Sequence, residues 1–77
     1  MAVDQLNQLD KLKDVFSYHK PEAEDLERYA TLRAAALQFA EVIVANTPRC
    51  ADQTAAIRKV REAVMTANAA VALKGKA

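Results

Sequence analysis

The stretch from Ser17 to Arg33 gathers side chains that could hold a small nucleotide. It contains both tyrosines of the chain, its only histidine and three cationic residues. Tyrosine rings can stack on bases for about 1–3 kcal/mol each, and an arginine fork can grip a phosphate through two parallel hydrogen bonds. The candidate binding residues are Tyr18, His19, Lys20, Arg28, Tyr29 and Arg33.

A purely structural interpretation of the same residues stays open. Arg28 follows Glu24 by four positions, which is the favourable order for a surface ion pair of about 0.3–0.5 kcal/mol. Tyr29 falls at a core-like helical position from which its hydroxyl would reach water. His19 and Lys20 could equally be solvated loop residues. Residue type and spacing alone therefore do not separate a binding site from an ordinary helix surface.

A second cationic group lies in the stretch "IRKVRE", which carries Arg58 and Arg61. Arg61 interrupts an apolar stripe between Ile57 and Val64, and a guanidinium at such a position should be paired or face a pocket. For Arg58, an ion pair with Glu62 is the structural alternative. For Arg61, both the binding and the structural interpretation stay open.

The sequence offers no recognisable catalytic or metal-binding constellation. Cys50 and His19 are separated by a whole predicted helix and lack an orienting third residue, and one histidine with one cysteine does not make a zinc site. The single glycine, Gly75, lies in the tail, so a glycine-rich phosphate loop is absent. We therefore expect a protein that is not an enzyme and uses no cofactor or metal.

Composition and charge limit the cellular compartments and the classes of partner that we expect for the protein. A net charge of +1 provides no large positive field, which argues against coating duplex nucleic acid. No apolar stretch reaches the roughly 18 residues that a membrane span requires, and the start lacks the order of a secretory signal. The single cysteine excludes an intrachain disulfide and favours a reducing compartment. We expect a soluble, intracellular protein without a membrane partner.

One glycine, two prolines and no alternating apolar runs predict an all-α fold. Pro21 predicts a break near Lys20 and the start of a second helix that runs to about Ala45. A third helix is predicted from near Cys50 to the "LKGKA" end, so that the two long helices form an antiparallel hairpin. We expect a single domain over residues 1–77, with a short helix and an arm in 1–20 and the hairpin in 21–77.

The apolar pattern calls for a partner. The second helix carries two apolar stripes, and one hairpin partner cannot cover both. A chain of 77 residues, with many alanines among its apolar residues, forms only a thin core of its own. Both points predict a homo-oligomer. The stripe of the first helix also needs a surface to lie against, and it consists of Val3, Leu6, Leu9, Leu12 and Phe16.

Four stretches taken in order, "YHKP", "ERYATLR", "AAALQFAEVIVANTP" and "REAVMTANAAVAL", resemble the small phage anti-CBASS sponge family. The resemblance covers residues 15–73. It implies a non-enzymatic homohexamer that sequesters cyclic oligonucleotide immune messengers in the cytoplasm of the infected bacterial host. Implied ligands are cyclic dinucleotides such as cyclic GMP-AMP, with cyclic trinucleotides at separate sites between subunits. One departure is Cys50, where the family usually has serine.

A cyclic dinucleotide has two similar halves related by an approximate twofold axis. At a twofold interface between two subunits, each half could therefore contact the same residues. On this hypothesis Tyr18 stacks on a base, Arg33 contacts phosphate, and two copies close over one ligand. Arg58 and Arg61 are the candidates for a trinucleotide site. Two alternatives remain: a structural or protein-binding hairpin, and a sponge for the cyclic ADP-ribose signals of Thoeris defence, since sponges of that kind carry a similar hairpin.

Overall fold

The computed structural model describes residues 2–76, which form three α-helices and no strand. Helix α1 spans Val3–Val15, α2 spans Ala23–Asn46 and α3 spans Ala51–Ala72. The prediction of an all-α fold with a short first helix and two long helices is confirmed. The observed ends of α2 and α3 lie within about three residues of the predicted ones.

Helix α2 begins two residues after Pro21 because Glu22 takes the extended N-cap conformation, with φ −85° and ψ 167°. The main-chain N–H of Glu22 donates to Asp25 Oδ2 at 3.1 Å. Asp25 is itself buried, with 7% of its surface exposed. Carboxylates in the first turn favour the positive end of the helix dipole, and here Asp25 also pairs a main-chain donor that the helix leaves free.

The turn between α2 and α3 is braced by a glutamine. Gln53 Nε2 donates to the main-chain oxygen of Thr47 at 3.1 Å and to its hydroxyl oxygen at 3.0 Å. Cys50 occupies the N-cap position of α3 with extended backbone, and its side chain makes no capping hydrogen bond. Helix α3 therefore begins without the side-chain cap that a serine at this position could provide.

Helices α2 and α3 pack against each other as an antiparallel hairpin. The amino group of Lys74, just beyond α3, lies 3.3 Å from Glu22 Oε1 at the start of α2. The seam between the helices is lined by half-buried residues, most of them apolar; those of α2 include Tyr29, Leu32, Ala36, Ala40 and Ile43, and those of α3 include Ile57, Val60, Val64, Ala67 and Asn68.

Helix α1 packs against neither α2 nor α3 in the described part of the chain. It is linked to the hairpin by the arm that follows it and by a contact of 3.9 Å between Lys76 Nζ and Asp14 Oδ2. Its apolar stripe is open to solvent, with Leu6 48% and Phe16 84% exposed. Within residues 2–76, no surface covers this stripe as the sequence led us to expect.

The single chain exposes more surface and is more extended than a compact monomer of the same size. Its accessible surface is 6402 Å², whereas a compact monomer of this mass exposes about 4600 Å². Its radius of gyration is 16.8 Å, against about 11.5 Å for a compact domain of this length. Within residues 2–76, Leu73 is the only apolar residue that is buried.

Candidate ligand-binding site

The arm between α1 and α2 holds one tyrosine out in solvent beside an anchored histidine. Tyr18 is 86% exposed. The next residue, His19, is half-buried, and its Nε2 donates to the main-chain oxygen of Asp14 at 2.7 Å. The same nitrogen lies 3.7 Å from Asp14 Oδ1. His19 is therefore not a free loop residue, whereas Lys20 is exposed.

Arg28 is engaged by carboxylates of its own helix. Its Nη1 lies 3.7 Å from Glu24 Oε2 and 3.6 Å from Asp25 Oδ1. The ion pair expected from the four-residue spacing is present, and Asp25 adds a second negative group. A phosphate at Arg28 would have to approach past both carboxylates, so Arg28 is a weaker anion site than its charge alone suggests.

The second tyrosine has a different environment from the first. Tyr29 is half-buried at the hairpin seam, in agreement with its core-like position in the sequence. The side chain of Tyr29 therefore packs partly within the hairpin, whereas the side chain of Tyr18 is exposed to solvent. Of the two tyrosines, Tyr18 is the better placed to stack on a ligand.

Arg33 and Arg61, which the sequence assigned to two different sites, line the same groove of about 300 Å³. We call it the arginine groove. One arginine comes from each long helix, and neither Arg28 nor Arg58 lies along this groove. The floor and walls are apolar and comprise Ala36, Leu37, Ala40, Ile57, Val60, Val64 and Met65.

The sequence contains a pattern around the two arginines of the groove that can be recognised only when α2 and α3 are compared. Leu37 follows Arg33 by four residues, and Met65 follows Arg61 by four residues. Each helix thus presents an arginine and a large apolar side chain one turn apart on one face. The antiparallel hairpin brings the two faces to a single groove, and Leu37 and Met65 are both 61% exposed there.

A second, larger groove runs along the hairpin and is almost wholly apolar. It has a volume of about 570 Å³ and is lined by Leu32, Phe39, Ala63 and Ala67 among others, with Lys59 as its charged residue. Phe39 is 58% exposed there. Alanines let another helix approach closely, so this groove is suited to helix packing more than to a charged ligand.

The histidine and the cysteine of the chain lie at opposite ends of α2. Residues 2–76 contain no group of three histidine, cysteine or acidic side chains placed to hold a metal ion. Cys50 is a free, exposed cysteine at the start of α3, and the imidazole of His19 is engaged at the end of α1. None of the three described helices is both long enough and apolar enough to cross a bilayer.

Comparison with known proteins identifies a family. The model of the Acb2/Tad1 hairpin domain matches residues 8–72. Neither a curated protein nor a solved structure matches the chain. The family match covers α2 and α3 completely, together with the arm and every candidate binding residue. The chain therefore belongs to the Acb2/Tad1 hairpin family, the anti-CBASS and anti-Thoeris sponges for cyclic oligonucleotide signals.

Proposed function

We propose that this protein is a non-enzymatic sponge that binds cyclic dinucleotides such as cyclic GMP-AMP and withholds them from CBASS effectors in the cytoplasm of the infected host. The observation that carries the proposal is the family match over residues 8–72, which includes the exposed arm and the arginine groove.

In the proposed binding mode, Tyr18 stacks on a base and Arg33 contacts a phosphate. The exposure of the Tyr18 ring supports the first role. Within residues 2–76, no carboxylate lies within 4.0 Å of the Arg33 guanidinium, which leaves it available to a ligand anion. The hydrogen bond from His19 to Asp14 anchors the arm to α1, and Lys20 adds a positive charge next to Tyr18 in the sequence.

We further propose that the site is completed by a homo-oligomer, with a hexamer as the expected state. The open surface of the single chain and the apolar groove around Phe39 support association. A cyclic dinucleotide has approximate twofold symmetry, so one twofold contact between subunits could offer each half of the ligand the same tyrosine and the same arginine.

A cyclic trinucleotide would require a threefold contact between subunits. Arg58 is exposed and has no carboxylate within 4.0 Å among residues 2–76, so the predicted ion pair with Glu62 is absent. This free guanidinium supports Arg58 as a residue of such a site, where the sequence also suggested Arg61.

The decisive experiment is mass spectrometry of the purified assembly after incubation with a mixture of cyclic dinucleotides, cyclic trinucleotides and cyclic ADP-ribose signals. Heat denaturation should release an intact cyclic dinucleotide. A sponge that competes with host effectors needs nanomolar affinity, about −12 kcal/mol. Ligand at 100 times its dissociation constant should then stabilise the fold by about 2.7 kcal/mol.

Each other outcome has a definite meaning. A linearised product would contradict the non-enzymatic role. Release of only a cyclic ADP-ribose signal would move the protein to the Thoeris branch of the family. Failure of all three ligand classes to raise the melting temperature would favour the alternative of a protein-binding hairpin.

A further inference from the structure

The arginine groove is lined by the side chains of two arginines and by no acidic residue, and its exposed surface is almost wholly apolar, so the arginines line it mainly with their aliphatic stems. Its nine lining residues are Arg33, Arg61 and seven apolar residues. An apolar groove bordered by two exposed arginines is complementary to an anion that also has a flat apolar surface. This combination describes a nucleotide better than it describes either a simple phosphate or an apolar helix.

The two arginines of the groove also differ from Arg28 in their ion pairing. Arg28 lies within 4 Å of two carboxylates, at 3.7 and 3.6 Å. Within residues 2–76, no carboxylate comes within 4.0 Å of Arg33 or Arg61. Exposed guanidinium groups on an apolar rim without a protein counter-ion are suited to an external anion.

We propose that Arg33 and Arg61 of one protomer bind the same cyclic dinucleotide, so that Arg61 is a residue of the dinucleotide site. This inference rests on the proposed function and changes one of its details. Arg61 leaves the predicted trinucleotide site, and Arg58 remains there as the candidate. The two helices of one hairpin then supply both phosphate-binding groups, and the arm supplies the stacking ring.

The groove also explains the apolar residues beside the arginines. Leu37 and Met65 flank the groove one turn from Arg33 and Arg61, respectively. The alanines of the floor, Ala36 and Ala40, leave space for a ring to lie close to the backbone of α2. A base or ribose can therefore rest on the floor while the guanidinium groups reach its phosphates.

The test is calorimetric titration of the full-length protein with cyclic GMP-AMP. Arg33→Gln and Arg61→Gln should each weaken binding by about ten- to a hundredfold, the scale of one charge-assisted hydrogen-bonding group. Arg49→Gln is the matched control because Arg49 is exposed and lies in the turn, outside the groove. It should bind as the unchanged protein does.

A second measurement needs no substitution and therefore does not depend on how a variant folds. Phenylglyoxal modifies accessible arginines, and mass spectrometry reads the modification at each position. Bound cyclic GMP-AMP should protect Arg33 and Arg61 and leave Arg49 reactive. Protection of Arg33 alone would overturn the inference, as would an Arg61 that is already unreactive in the ligand-free protein because a subunit contact covers it.

The outcomes separate this inference from the function on which it rests. If the unchanged protein binds cyclic GMP-AMP and only Arg33→Gln weakens binding, the proposed function stands and the shared groove is wrong. If the unchanged protein binds no cyclic dinucleotide at all, the proposed function itself fails.

Discussion

The Nε2 atom of His19 lies 2.7 Å from the main-chain oxygen of Asp14, which joins the arm to the last turn of α1. The carboxylate of Asp14 also lies 3.9 Å from Lys76 Nζ, so the segment after α3 contacts the same residue as His19 does. Since α1 packs on neither long helix in the described chain, these polar contacts determine where the neighbouring Tyr18 is held.

The first prediction concerns the ring of Tyr18. Tyr18→Ala should weaken binding of cyclic GMP-AMP by about 2–6 kcal/mol, because two copies of the ring stack on the two bases. Tyr18→Phe keeps the ring and should bind nearly as the unchanged protein does. Since Tyr18 is 86% exposed, neither change should lower the melting temperature appreciably. Calorimetric titration giving an unaltered affinity for Tyr18→Ala would remove the stacking role.

The second prediction concerns the anchor of the arm. His19→Ala removes the hydrogen bond to Asp14, so the arm must be ordered when the ligand binds. Ordering of a side chain costs about 0.5–1.5 kcal/mol, and the affinity should fall by that amount. Asp14→Asn is the control because it keeps the main-chain acceptor at 2.7 Å. A larger loss with Asp14→Asn than with His19→Ala would show that the carboxylate, and not the carbonyl, holds the arm.

The third prediction concerns the start of α3. Cys50 has φ −163° and ψ 177°, the extended conformation of an N-cap, but its side chain forms no capping bond. Cys50→Ser should raise the free energy of unfolding by about 1 kcal/mol through a new capping bond. Cys50→Ala should give no such gain. Chemical denaturation at one fixed protein concentration compares the three proteins, and equal stability of the serine and alanine variants would contradict the prediction.

The fourth prediction concerns the apolar groove. Phe39→Glu places a charge among Leu32, Ala63 and Ala67, where it would lose its hydration if another subunit packed there. Sedimentation should show a smaller particle than the unchanged protein forms. Gln38→Glu adds the same charge at the neighbouring exposed position and should leave the assembly intact. An unaltered sedimentation coefficient for Phe39→Glu would exclude this groove from the subunit contact.

The helices could be predicted closely because local features decide them. Pro21 and the acidic turn that follows it mark the start of α2, and Pro48 marks the turn before α3. The four-residue spacing of Glu24 and Arg28 likewise predicted an observed ion pair. Each of these signals acts over one or two helical turns.

The candidate binding residues remain a prediction, but the structure separates two residues that the sequence grouped together. The sequence grouped Arg28 with Arg33 because they are close along the chain, but Arg28 turns toward Glu24 and Asp25 while Arg33 lines the arginine groove. Two positions five residues apart point about 140° apart around a helix. Closeness in sequence therefore overstated what these two side chains can share.

The sequence by itself determined three helices, their ends, the antiparallel hairpin and, through the stretches that match the Acb2/Tad1 hairpin domain, the family. Only the tertiary structure decided that Arg33 and Arg61 share a groove and that His19 is bound to the end of α1. The reason is physical. Helix propensity, capping and periodicity act between neighbours in the chain, whereas a groove depends on how two helices are rotated when their apolar stripes pack.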